Sequence, residues 1–220
     1  MEQAASDEIR SLTAARGIFS TAVLAFHLGP HAIVLFPLLA VAHPVLDVGW
    51  LGVDAFFILS GFVLAHRYAG RLHGAGDYAR FLWLRVCRIY PLYLASTLLA
   101  GLAVGVALLI GISVPSASSF TLDSFLRNLL MVQSWPGLGS TSWNVPAWSV
   151  SWEWLLYILF PIVGWLATRK LPATAKAAAA LALLALPAVL LHAHPGHGEA
   201  YARVVPAFAA GALLQQARAA

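Results

Sequence analysis

Apolar residues run through this chain in long blocks and do not alternate with polar ones. A block of about 17 to 25 such residues is long enough to cross a bilayer as a helix. The pattern predicts six spans. They are 13–33 (TAARGIFSTAVLAFHLGPHAI), 48–66 (VGWLGVDAFFILSGFVLAH), 90–112, 146–167 (PAWSVSWEWLLYILFPIVGWLA), 174–192 with Pro187 inside, and 201–217 (YARVVPAFAAGALLQQA). Shorter apolar pieces at 34–46 and 122–135 are too interrupted to span, and are expected to lie at the interface or to re-enter. The expected fold class is all-α, a polytopic transmembrane helical bundle of about six spanning helices.

Composition supports this assignment. Of 220 residues, 60% are hydrophobic and only 10% charged, against roughly 25% charged in a soluble domain. The mean hydropathy is +0.80. A net charge of +4 and a pI near 9.6 do not indicate nucleic acid, because the basic residues are scattered between apolar spans and form no solvated face. Their distribution sets orientation instead. With the N-terminus inside, the cytoplasmic side holds Arg10, Arg16, Arg67, Arg71, Arg80, Arg85, Arg88, Arg169, Lys170, Lys176 and Arg218, and the outer side only Arg127 and Arg203. Trp143, Trp148, Trp152 and Trp154 gather near the outer end of the fourth span, as an aromatic belt would. The single Cys87 excludes an internal disulfide and is expected to be a buried small hydrophobe. The polar start MEQAASDEIRS lacks the basic region and cleavage site of a signal peptide.

An ionisable residue inside a span is a candidate functional group by default, and His27, Asp54 and Glu153 qualify. The stretch RGIFSTAVLAFH places Arg16 and His27 eleven residues apart. That separation returns a helix to within about 20° of its starting direction, so both lie on one stripe roughly 16 Å apart. Measured from Arg67 and Arg169, Asp54 and Glu153 lie about 20 and 24 Å into their spans, at levels comparable with His27. A neutral imidazole buried among helices accepts a proton, and a neighbouring Asp54 or Glu153 would orient it. The same three residues also suit hydrogen bonds that hold helices together. Arg85 and Arg88, in the basic loop FLWLRVCRIYP, are three apart and would share a helical face able to clamp a phosphate. On spacing alone, plain positive-inside anchoring is the favoured reading of the two. HAHPGHGE, 192–199, has three histidines but fits no zinc spacing. His31, His43, His66 and His73 lie near span ends, where interfacial roles suffice. Ser60 in ILSG lacks the glycine two residues before it that an intramembrane serine nucleophile carries.

Four of these stretches, in order, resemble the acyltransferase 3 family, membrane O-acyltransferases that acetylate bacterial polysaccharides and related acceptors. RGIFSTAVLAFH is similar to its first-helix Arg–His signature. LGVDAFFILSGFVL, 51–64, is similar to its GVDxFFxLSG pattern, and FLWLRVCRIYPLY, 81–93, to its R-x-x-R-I-x-P segment. VPAWSVSWEWLLYILFP, 145–161, is similar to its W-S-L-x-x-E-x-x-F-Y block, with Val150 for Leu and Leu156 for Phe. The resemblance implies an enzyme that moves an acyl group, usually acetyl, from acyl-CoA to a hydroxyl of a glycan or other glycosylated acceptor. It makes His27 catalytic, with Arg16 supporting it from the donor side. Arg85 and Arg88 would contact the CoA phosphates, and Asp54 and Glu153 would be pocket residues. It implies acyl-CoA as donor substrate, no bound cofactor or metal, and a bacterial cytoplasmic membrane. Family members carry about ten spans of roughly twenty residues each. Residues 1–220 therefore look like a C-terminally truncated domain of a ten-helix fold, with a minimal variant of that fold, or one that assembles with a second copy or a partner subunit to enclose its site, as the alternatives. The alternative is a non-catalytic membrane protein, a small transporter or degenerate partner subunit, whose polar residues line a path or hold helices together.

Overall fold

The first apolar block and the polar residues before it form one helix, α1 (Glu2–Leu35), which continues through Pro30. The interrupted piece at 34–46 becomes two 3₁₀ turns, Pro37–Ala42 and Val48–Trp50, around a short α2 (His43–Asp47). They lead into α3 (Leu51–Tyr68). Then follow α4 (Ala75–Leu109), α5 (Leu122–Leu129), α6 (Trp148–Ala167), α7 (Ala173–Ala193) and α8 (Glu199–Arg218). This computed structural model describes residues 2–114, 117–138, 142–193 and 199–219, without side chains at 2–11, 117, 188–193 and 199–201. The three-histidine stretch 192–199 lies outside the described side chains.

Every regular element among the described residues is helical, as the block pattern predicts. Four stretches are long and apolar enough to cross a membrane: Leu12–Leu35, Pro37–Tyr68, Ala75–Leu109 and Val145–Ala167. Helices α7 and α8 form at the fifth and sixth predicted positions. Among the residues with described side chains, Ala173–Pro187 of α7 is apolar, whereas α8 interleaves Arg203, Gln215 and Gln216 with its apolar residues. The largest difference is in α4. The basic stretch expected as a loop is helical, and Pro91 sits inside a helix of 35 residues. At about 1.5 Å per residue such a helix is about 52 Å long, well beyond a hydrocarbon layer of about 30 Å, so its charged first turns extend past the apolar core.

The chain divides into two compact units, residues 1–69 with 164–220, and residues 70–163. In the first, α3 packs on both α1 and α8. Gly49 and Gly52 lie against the α1 backbone at Ala22 and Phe19, and Phe19 meets Phe56 edge-on at 6.1 Å. The pairing of later α3 positions with earlier α1 positions makes these two helices antiparallel. On the other side, Gly61 faces the Phe208 carbonyl and Gly211 the Ile58 carbonyl, each so closely that no Cβ fits. Asp54 meets Arg203 near one end of this contact, and His66 Nδ1 lies 3.2 Å from Gln215 Nε2 near the other. Helices α3 and α8 are therefore parallel. On α8, which packs on α7 as well as on α3, Val204, Phe208, Ala210 and Ala212 are fully buried.

In the second unit α4 and α6 are antiparallel, tied by Tyr78 O–H donating to the Ile158 carbonyl (2.8 Å) and by Phe81 against Phe160 (5.5 Å). The piece 122–147 docks on them through polar contacts. A reciprocal Thr121–Ser124 cap starts α5. The hydroxyls of Tyr90 and Tyr93 donate to the carbonyls of Leu129 and Asn128. Asn144 donates to Ser96 and Thr97, Trp135 to the Ser151 carbonyl, and Trp143 to Ser124 Oγ. Of the four tryptophans expected to form an aromatic belt, three take part in this packing, Trp143 through its bond to Ser124. Trp152 is buried and Trp154 rests on the cluster of Tyr93, Met131 and Ala147.

Candidate functional site

Because α1 is unbroken from Glu2 to Leu35, Arg16 and His27 keep the common face and the roughly 16 Å spacing that helical geometry assigns them. His27 is exposed, however, and not enclosed by neighbouring helices. The packed face of α1 is the Phe19, Ala22, Val23 and Phe26 side that receives the glycines before and in α3, and His27 lies beside it with its ring edge-on to Phe26 at 5.3 Å. Its Nδ1 is 2.8 Å from the carbonyl of Val23, one turn earlier. A carbonyl only accepts, so the neutral ring carries its hydrogen on Nδ1, and Nε2 is the nitrogen with the lone pair. Arg16 is half-buried.

Asp54, in the first turn of α3, is taken by a partner the sequence reading assigned to an outer surface. Arg203 donates from Nη2 to Oδ1 at 2.9 Å and from Nε to both carboxylate oxygens at 3.2 Å. Its guanidinium carbon lies 4.1 Å from the centre of the Trp50 ring. The side chains of Arg203 and Asp54 are 16% and 21% exposed, so the pair is substantially shielded by the helices that carry it. A planar, charge-assisted fork stacked on an indole is a geometry only arginine supplies. The missed signal was available: Arg203 lies inside the sixth apolar block, and the rule that singled out Asp54 applies to it equally.

Glu153 belongs to the second unit, where Tyr157 touches both it and one of the two predicted phosphate-binding arginines. The Tyr157 hydroxyl donates to Glu153 Oε1. The guanidinium of Arg85 lies 5.8 Å from the Phe81 ring centre and 5.9 Å from that of Tyr157, within cation–π range. Arg85 and Arg88 thus differ despite their three-residue spacing. Arg85 is half-buried in the seam between α4 and α6, while Arg88 is exposed on α4. Cys87, expected to be buried, is also exposed, because it falls on the side of α4 turned away from that seam. Among the described residues no group of three or more His, Cys, Asp or Glu is arranged to hold a metal ion.

The family profile described as an acyltransferase domain matches residues 9–219, nearly the whole chain. The chain belongs to the acyltransferase 3 family. Over 168 residues this acyltransferase 3 chain is 33% identical to a Streptomyces mycarofaciens protein named Acyltransferase MdmB, covering 74% of the chain and 40% of that protein. It is also 53% identical over 53 residues to Protein 2 in picA locus of Rhizobium radiobacter, covering 23% of the chain and 28% of that protein. The chain thus spans less than half the length of these relatives. No solved structure matches this acyltransferase 3 chain. Its apolar helices and its family make it an integral membrane protein.

Proposed function

We propose that this chain carries the catalytic part of a membrane acyltransferase that moves an acetyl group from acetyl-CoA to a hydroxyl of a glycan or other glycosylated acceptor, with His27 as general base. The observation that carries the reading is the bond from His27 Nδ1 to the Val23 carbonyl, which leaves Nε2 as the basic nitrogen on a fixed ring. Nε2 takes the proton of the acceptor hydroxyl as its oxygen attacks the thioester carbonyl. The carbon–sulfur bond breaks, and the proton passes from the imidazolium to the departing CoA thiolate. Arg16, on the same face toward the N-terminal end of α1, supports the donor side. The exposed Arg88 and the edge of Arg85 contact the CoA phosphates, a task suited to the guanidinium fork. Asp54 acts mainly by holding Arg203, and so by fixing α8 to α3.

We place the protein in a bacterial cytoplasmic membrane with its N-terminus inside. The basic-residue asymmetry supports this orientation.

The test is acetyl transfer in membranes containing the full-length protein, read as hydroxylamine-labile label from radiolabelled acetyl-CoA. His27→Ala is expected to lower incorporation by about 100-fold or more, the scale of a lost general base, at unchanged protein abundance. Incorporation equal to wild type would overturn the assignment and favour a non-catalytic membrane protein.

A further inference from the structure

Arg85 and Glu153 lie on different helices of the second unit, and one side chain touches both. Tyr157 is 2% exposed. Its hydroxyl donates to Glu153 Oε1, and its ring lies within cation–π distance of the Arg85 guanidinium. The ring is itself gripped: Phe81 meets it edge-on at 6.3 Å, and Phe81 packs on Phe160 at 5.5 Å. Phe81 and Phe160 are each 1% exposed. Such a ring has little freedom to rotate, so its hydroxyl is a fixed donor and its face a fixed cation site.

Glu153 sits one helical turn before Tyr157, and a glutamate side chain left to itself samples several rotamers. A charge-assisted hydrogen bond from an immobile phenol selects among them. The tyrosine therefore does two things at once. It holds the carboxylate of α6 by its hydroxyl, and the cation of α4 by its face.

We propose that Tyr157 is a positioning residue for acyl transfer, orienting Glu153 through its hydroxyl and Arg85 through its ring; this rests on the acyltransferase reading above. Loss of the hydroxyl alone disturbs the carboxylate and leaves the cation in place. Loss of the ring disturbs both.

The test follows that division, using full-length protein in membranes and the rate of hydroxylamine-labile label transfer from radiolabelled acetyl-CoA onto endogenous acceptors. Tyr157→Phe keeps the ring and its packing. It is expected to lower kcat about 10-fold, with the KM for acetyl-CoA within twofold of wild type. Arg85→Lys, which keeps charge and loses the planar face, is expected to raise that KM several-fold with a smaller change in kcat. Tyr157→Leu is expected to change both parameters. Because Tyr157 acts through Glu153, the double variant Glu153→Gln with Tyr157→Phe is expected to be no slower than Glu153→Gln alone. A purely structural role would lower the amount of active protein without this split. A Tyr157→Phe enzyme with wild-type kcat, or full additivity in the double variant, would overturn the proposal while wild-type transfer persists. Absence of transfer by wild type would instead overturn the acyltransferase reading itself.

Discussion

Leucine at Gly61 is expected to pry α8 from α3 and to prevent the first unit from forming its native packing. The backbone of α3 at Gly61 rests on the carbonyl of Phe208, and that of α8 at Gly211 rests on the carbonyl of Ile58. The obstruction at each glycine is main chain, so no rotamer change relieves it, and the helices must separate. Separation exposes Phe208 and Ala212, which are fully buried and lie at this crossing. Overpacking in a well-packed interior costs about 1–3 kcal/mol where neighbours can shift, and the upper end or more applies where backbone blocks the way. Small residues that let backbones touch are a common basis of helix association in lipid, where no hydrophobic effect drives helices together. Thermal unfolding in detergent measures the effect. Gly61→Leu and Gly211→Leu are expected to lose folded protein or to melt far below wild type, and Gly61→Ala to show the same direction with smaller size. Gly105 is the internal control. It lies in α4 with no atom within 4 Å of an added Cβ, so Gly105→Ala is expected to be neutral or to stabilise by about 0.5–1 kcal/mol through helix propensity. Equal tolerance at Gly61 and Gly105 would show that the close crossing is absent.

Removing Arg203 alone is expected to destabilise the protein more than removing both members of its ion pair. Arg203→Met leaves the Asp54 carboxylate, 21% exposed, without its two-pronged partner. Breaking a shielded pair on one side costs about 3–5 kcal/mol, because an uncompensated charge stays behind. The remaining exposure of both side chains places the cost toward the lower figure. The double replacement Asp54→Leu with Arg203→Met removes both charges, and is expected to recover much of that loss, since shielded ion pairs are often replaceable by apolar residues. Arg203→Lys is expected to be intermediate, keeping charge but losing the fork to Asp54 and the stacking on Trp50. Denaturant-induced unfolding of the purified protein gives the four corners of this cycle. A double variant as unstable as the sum of the singles would show that the two residues act independently.

Both predictions concern contacts that no local pattern announces. Lengths of apolar blocks place α3, α6, α7 and α8 within a few residues, and the C-terminal end of α1 though not its polar start at Glu2, because burial of backbone in lipid forces each long apolar run to be a helix. The same reasoning misses the first turns of α4, where Arg80, Arg85 and Arg88 read as a loop. Their charges mark where the helix leaves the hydrocarbon, and do not end it. Pro91 also misleads, since its missing N–H costs one hydrogen bond in a helix held by many others. In the candidate site, His27, Asp54, Glu153 and Arg85 stand out as ionisable groups near or inside apolar runs. Arg203 escapes because it sits two residues inside a weakly apolar block and its partner is 149 residues away. Tyr157 escapes because an aromatic residue in an apolar span looks like packing until its hydroxyl is seen on Glu153.

Composition and run length alone therefore determine that this chain is a membrane-embedded helical protein, and the ordered motifs place it in its family. Those properties depend on each segment's own transfer into lipid, a sum over neighbouring residues. Tertiary structure alone decides that Asp54 answers to Arg203, that Glu153 and Arg85 share Tyr157, and that His27 stands exposed beside the packed face of α1. The first and last depend on where glycines allow two backbones to meet, and the second on Phe81, Tyr157 and Phe160 packing between α4 and α6; each is a choice made between helices apart in the chain.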